Sequence, residues 1–135
     1  SLFKARRKDG YHRFLEESKS CIQRMVDGFH QQDLERIKRE IRYNRDLLKQ
    51  LGTNSGVDIE TPVLNRLCQI AEQFGGAAKT SGAGGGDCGI VAIDQNADFN
   101  AVLKSWAQNH IEQLPLNVHF ISDIKRQVQQ HLPLN

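Results

Sequence analysis

From Tyr11 onward, apolar residues recur at steps of three and four. Tyr11, Phe14, Leu15, Ile22, Met25, Val26 and Phe29 fall in one line with Ser18. That spacing predicts an amphipathic helix, interrupted at Gly28 and His30. The residues before it are basic: Lys4, Arg6, Arg7 and Lys8. They read as a solvated helix end, because no aromatic residues interleave with them as single-strand binding needs. A second stripe begins after Asp33 with Leu34, Ile37, Ile41, Leu47, Leu48 and Leu51, and Gly52 supplies its stop. Two such stripes predict an αα-hairpin that shares one core. The other face of the second helix carries Arg36, Lys38, Arg39, Arg42, Arg45 and Lys49 among Asp33, Glu35, Glu40 and Asp46. Mixed signs at these spacings predict a water-facing surface laced with weak pairs.

Residues 52–56 (GTNSG) read as loop. Thr61 followed by Pro62 is a helix start, a capping hydroxyl before a proline at the first helical position. Val63, Leu64, Leu67, Ile70, Ala71 and Phe74 form the expected buried face, and Gly75-Gly76 ends it. AAKTS then leads into a glycine-rich run, and CGIVAID leads out of it as a short β-branched strand. Asp98 caps a predicted helix to about Gln113, with Val102, Leu103, Trp106 and His110 inward. Alternation predicts a last strand over residues 116–121, and a short helix after Ser122. Two strands joined by a short loop pair antiparallel. The fold class is therefore α+β, one domain over residues 1–135, with helices packed on a small antiparallel sheet.

Length and composition allow this picture. A chain of 135 residues with 39% hydrophobic and 25% charged residues can bury a core of its own. A net charge of +2 is too small to argue for a nucleic-acid or membrane partner. Cys21, Cys68 and Cys88 are odd in number and far apart. They read as free thiols in a reducing compartment, which points to the cytoplasm. His12, His30, His110, His119 and His131 show no metal-ligand spacing.

The candidate chemistry lies in KTSGAGGGDCGIVAID, which begins at Lys79. Seven of the 11 glycines of the chain fall between Gly75 and Gly89. A hairpin needs only a two-residue turn, so this is more glycine than a turn requires. Without Cβ atoms, successive backbone N–H groups can turn inward and form an anion-binding concavity. Lys79, Thr80 and Ser81 add an ammonium and two hydroxyls beside it. Asp87 sits awkwardly with a plain phosphate pocket. It fits a partner hydroxyl, or a cap on the loop's own amides. Two readings stay open at this level: a ligand-contacting loop and a structural turn. The lysine precedes the glycines, so the order is not that of a P-loop. No helix opens after them, so it is not a dinucleotide fingerprint.

KTSGAGGGDCG resembles the third, C-terminal motif of the GHMP kinase superfamily. Within it, the run is most similar to the bacterial-type phosphomevalonate kinases, whose motif reads KxSGAGGGDCG; mevalonate kinases tend to carry a glycine in place of Asp87. The resemblance covers nearly all of the chain. It implies a ferredoxin-like GHMP kinase C-terminal domain and ATP-dependent phosphorylation of 5-phosphomevalonate to 5-diphosphomevalonate, in the mevalonate route to isoprenoids. By position it implies that Lys79, Ser81, Gly82, Ala83, Gly84, Gly85, Gly86 and Asp87 bind substrate and phosphate.

The family's other motifs do not occur in this sequence. They carry the ATP-phosphate loop, the Mg²⁺ contacts and the catalytic aspartate, and they belong to an N-terminal half. The resemblance therefore implies ATP and Mg²⁺ sites mainly outside this chain, no catalytic residue within it, and no ATP turnover by it alone. It implies that the first, central strand of the sheet is missing here. The expected partners are the small-molecule substrate and the N-terminal domain, with self-association of the bare sheet as a further expectation. Mevalonate kinase, homoserine kinase and a non-catalytic phosphate-binding module are the competing readings.

Overall fold

The structure is a computed structural model that describes residues 2–81 and 88–111. The glycine loop (82–87), the strand predicted over 116–121 and the helix predicted after Ser122 lie outside the described residues. The described elements run α1 (Leu2–His30), α2 (Leu34–Ser55), α3 (Pro62–Gln73), β1 (Ala77–Thr80), β2 (Gly89–Ala92) and α4 (Phe99–Gln108). β1 and β2 pair antiparallel, with Ala77 opposite Ala92 and Thr80 opposite Gly89.

The starts of α2, α3 and α4 are written locally. Asp33, Thr61 and Asp98 each accept a hydrogen bond from the backbone N–H three residues on, at Arg36, Leu64 and Ala101. Pro62 sits in the first turn of α3 without a lost bond.

Several boundaries differ from the sequence reading. α1 begins at Leu2 rather than Tyr11. α2 does not stop at Gly52; it runs to Ser55, and Gly56 makes the left-handed cap at φ 72°. Gly52 is instead a contact glycine. A Cβ there would stand 2.7 Å from the Val57 carbonyl oxygen, where the outgoing chain folds back on the helix. α4 ends at Gln108, so His110 lies past the helix, exposed and at φ 60°, rather than on its inner face.

The cores also differ in detail. The larger one joins Leu64, Leu67, Cys68, Ile70 and Ala71 of α3 to Val102 and Trp106 of α4, with Ala78 from β1. The second joins Ile37 and Ile41 of α2 to Ala77, with Met25 and Phe29 of α1 packed on it. The predicted α1 stripe is split. Cys21 on that helix is fully buried, whereas Tyr11, Leu15 and Ile22 are about half exposed. Val63 is likewise exposed.

The basic face of α2 is a water-facing surface only in part: Glu35, Arg39, Asp46 and Lys49 are exposed. Lys38 and Glu40 are buried, and Arg42 and Arg45 reach across to α3 and its leading loop. That part of the face borders α3 and its leading loop, and charge alternation alone does not distinguish such a border from a solvated surface.

Candidate functional site

β1 and β2 carry the glycine loop at one end of the sheet. Beyond the last strand pair, the Ser81 N–H donates to the Cys88 carbonyl at 2.9 Å. The chain thus leaves and re-enters the hairpin through a closed neck. Of the sequence-predicted site residues, Lys79 and Ser81 fall on this neck. Gly82, Ala83, Gly84, Gly85, Gly86 and Asp87 lie outside the described residues.

Strand alternation sends successive β1 side chains to opposite faces. Ala77 meets the α2 cluster and Ala78 meets the α3–α4 core. Lys79 therefore stands on the α2 side, opposite Ile90 in register, and Thr80 on the α3 side, 1% exposed. Lys79 is half-buried. Burial holds its ammonium below the ordinary lysine range, and the Cys21 thiol of α1 pulls weakly the other way. Among the described residues no carboxylate forms an ion pair with Lys79. A partly desolvated cation with no carboxylate partner among the described residues, at the mouth of a glycine loop, is chemically suited to an anion.

The other end of β1 is anchored from α2. Lys38 Nζ donates to the Gly75 carbonyl at 3.1 Å, and an Arg42 guanidinium nitrogen donates to the Gly76 carbonyl at 3.3 Å. Arg42 also pairs with Glu72 at 2.8 Å. Cations here meet the carbonyl end of α3, where the helix dipole favours them. Gly75 takes φ 82° to turn the chain. At Gly76 a Cβ would lie 3.0 Å from the Ala92 carbonyl oxygen. This anchoring escapes sequence reading, because Arg42 and Glu72 are 30 residues apart.

α3 and α4 support the hairpin from its other face. At Gly89 a Cβ would meet the Lys79 carbonyl oxygen at 3.2 Å and Leu67 at 3.3 Å, so glycine lets the strand approach α3 closely. Trp106 Nε1 donates to the Leu67 carbonyl at 3.3 Å and ties α4 to α3 directly beneath.

The thiols divide by burial. Cys88 is exposed at the neck, and Cys21 and Cys68 are buried. Desolvation, with the Glu40 charge for Cys21, pushes both buried thiols up to about 11. Among the described residues, no group of three or more His, Cys, Asp and Glu side chains comes together as a metal-ligand set.

Comparison with known proteins adds to this geometry. Residues 25–112 match the family model described as GHMP kinases C terminal. A phosphomevalonate kinase of Streptomyces sp. (strain CL190) is 41% identical over 108 residues, covering 78% of this chain and 29% of that protein. Among solved structures, a Lin0012 protein from Listeria innocua superposes with a TM-score of 0.77 at 37% identity, covering 84% of this chain and 32% of the other. A Streptococcus pneumoniae phosphomevalonate kinase in complex with phosphomevalonate and AMPPNP superposes with a TM-score of 0.67 at 35% identity, covering 76% and 30%. The chain thus spans about a third of the length of the proteins it matches.

Proposed function

Because the chain belongs to the GHMP kinase C-terminal family, we propose that it forms the substrate-facing C-terminal part of a phosphomevalonate kinase. The reaction is ATP-dependent phosphorylation of 5-phosphomevalonate to 5-diphosphomevalonate in the mevalonate pathway. The observation that carries this reading is the KTSGAGGGDCG loop on its hairpin, in a chain 41% identical to a phosphomevalonate kinase. The superposition on a relative holding phosphomevalonate and AMPPNP supports it.

In this reading a phosphate oxygen of the substrate attacks the γ-phosphorus of ATP, and the bond to ADP breaks. The chain's own contribution is electrostatic and positional, as phosphoryl transfer requires. Lys79 neutralises phosphate charge, and Ser81 donates a hydrogen bond. Backbone amides of Gly82, Gly84, Gly85 and Gly86 line the approach, with Ala83 among them. Asp87 accepts from a substrate hydroxyl or caps the loop amides. The ATP-phosphate contacts, the catalytic aspartate and the Mg²⁺ ligands belong to the family's N-terminal half, which is the chain's partner in the working enzyme. The described residues offer no metal-ligand set for Mg²⁺. No helix among the described residues is long and apolar enough to cross a membrane. The free thiols support a cytoplasmic site of action.

The test is ADP release by the intact enzyme, offered phosphomevalonate and mevalonate in parallel with ATP and Mg²⁺. Turnover with phosphomevalonate alone is the expected result. Turnover with mevalonate alone keeps the superfamily and overturns the substrate. The 135-residue chain by itself is expected to release no ADP above a buffer blank.

A further inference from the structure

β1 is short, and the side chains that anchor it are small. Its buried residues are Ala77, Ala78 and Thr80. An alanine methyl removes little area from water, so packing alone holds the strand weakly. Ala77 and Ala78 are alike and point to opposite faces, so the apolar pattern of the strand adds little to its placement. Backbone contacts at its two ends carry more of that work. At the loop end, the Ser81 N–H meets the Cys88 carbonyl. At the other end, two cations of α2 hold the chain just before the strand begins.

Of these two cations, Arg42 binds the more widely. Its Nε pairs with Glu72 in the last turn of α3, and a terminal nitrogen of the same guanidinium donates to the Gly76 carbonyl. One planar fork thus joins α2, the end of α3 and the residue that precedes β1. Lys38, by contrast, holds only the Gly75 carbonyl and Glu35 of its own helix. Gly76 also stands close against the Ala92 carbonyl of the partner strand. From Gly76 to Lys79 is three residues of extended chain, about 10 Å, with no loop between to absorb a shift. A displacement at Gly76 therefore passes along the strand to the Lys79 ammonium.

We propose that Arg42 is the positioning residue of Lys79: by holding Gly76 on α2 and α3, it sets where the ammonium stands at the mouth of the glycine loop. Arg42 grips the end of β1 away from that loop and acts on the substrate only through the strand. The inference rests on the reading of Lys79 as a phosphate-binding group of the kinase. The Arg42 side chain is 42% exposed and that of Glu72 35%, so either can be changed without opening the core.

The test uses Arg42→Gln in the intact kinase and has two readouts. The first needs no substrate: brief acetic anhydride labelling, read by peptide mass, compares half-buried Lys79 with exposed Lys104. The Lys79 to Lys104 ratio should change at least about threefold in the variant, an order-of-magnitude expectation for a local release. Buried Cys68 should stay closed to iodoacetamide, which shows that the core is intact. If Cys68 reacts, Glu72→Gln, which keeps the arginine and weakens its hold, replaces the first variant. An unchanged labelling ratio overturns the proposal. The second readout is the KM for phosphomevalonate. It should rise about threefold to tenfold, the order of a coupling between linked residues, with kcat within about twofold. In a Lys79→Met background the same change should add nothing. Equal factors in both backgrounds mean that Arg42 acts by another route, and they overturn the proposal. A changed labelling ratio with no effect on KM in either background leaves Arg42 as the residue that places Lys79 and overturns the phosphate-binding reading of that lysine instead.

Discussion

Arg45 and Glu60 exchange two parallel hydrogen bonds of 2.8 Å, from Nε and a terminal guanidinium nitrogen to the two carboxylate oxygens. The Glu60 side chain is 5% exposed and also accepts from Asn65 at 2.8 Å. This fork fixes α2 against the loop that leads into α3, and so fixes the frame on which β1 is laid. Removing one partner leaves a buried charge alone, which costs about 3–5 kcal/mol. Arg45→Met should therefore destabilise strongly, whereas Arg45→Met with Glu60→Leu should recover most of the loss. Urea unfolding of the two variants checks this. A double variant no better than the single one would show that the pair contributes through packing of the stems.

The same carboxylate sets an acid limit. Burial alone pushes the Glu60 carboxyl up, but the bonds from Arg45 and Asn65 outweigh it and hold it below its ordinary value of 4.5. A group depressed in the folded state contributes stability in full above its unfolded value and loses it as pH falls through the folded one. Thermal stability should begin to fall near pH 4.5 and continue downward below it. Glu60→Gln should be less stable at neutral pH and flatter in that window. Melts between about pH 3 and pH 7 decide it; an unchanged slope in the variant assigns the acid limit to other carboxylates.

Gly52 gives a prediction whose sign separates packing from propensity. In an open helix interior, Gly→Ala stabilises by about 1 kcal/mol. Here the added methyl meets the backbone oxygen of Val57 at 2.7 Å, and the Ile59 side chain lies just beyond. Backbone cannot swing aside as a side-chain tip can. Gly52→Ala should destabilise by about 1–3 kcal/mol, the range of overpacking, and a more stable variant would mean that the 57–59 segment is not pressed on α2 in solution.

Much of the molecule was legible in the sequence, and the parts that were not share a cause. Thr61 and Asp98 announced their helices because a cap is a contact three residues long. The antiparallel pairing of β1 and β2 followed from the short connection between them. The glycine excess marked the loop because it exceeds what a turn needs. Tyr11, Leu15 and Ile22 were misplaced because periodicity identifies an apolar line and says nothing of what covers it. Lys38 and Arg42 were read as solvated because their partners, Gly75, Gly76 and Glu72, are 30 or more residues away. Gly52 was read as a stop because only the tertiary fold brings Val57 back onto it.

The three thiols should report the fold by their rates. Thiolate is the reacting form, so a raised pKa and burial both suppress alkylation. Cys88 is exposed, whereas Cys21 and Cys68 are buried and pushed up to about 11. Brief iodoacetamide treatment at neutral pH should modify Cys88 alone, with the other two reacting only after denaturant is added. Early modification of Cys21, read by peptide mass, would mean that α1 separates from α2 in the native ensemble.

Lys79 should trade stability against binding. Its ammonium is half-buried, and desolvation holds it below the ordinary lysine range. A lysine depressed in the folded state subtracts stability while charged, and the penalty is relieved as pH rises through the folded value. Lys79→Met, which keeps the stem and removes the charge, should therefore raise the melting temperature at neutral pH. In the intact kinase the same variant should raise the KM for phosphomevalonate about tenfold to a hundredfold, the worth of one hydrogen bond to a charged group. The pH profile of kcat/KM, which reports the free enzyme, should fall on the alkaline side below the usual lysine range, and Lys79→Arg should move that limb upward. A stabilised variant with unchanged KM would make Lys79 a residue of the α1–sheet packing and leave the phosphate to Ser81 and the loop amides.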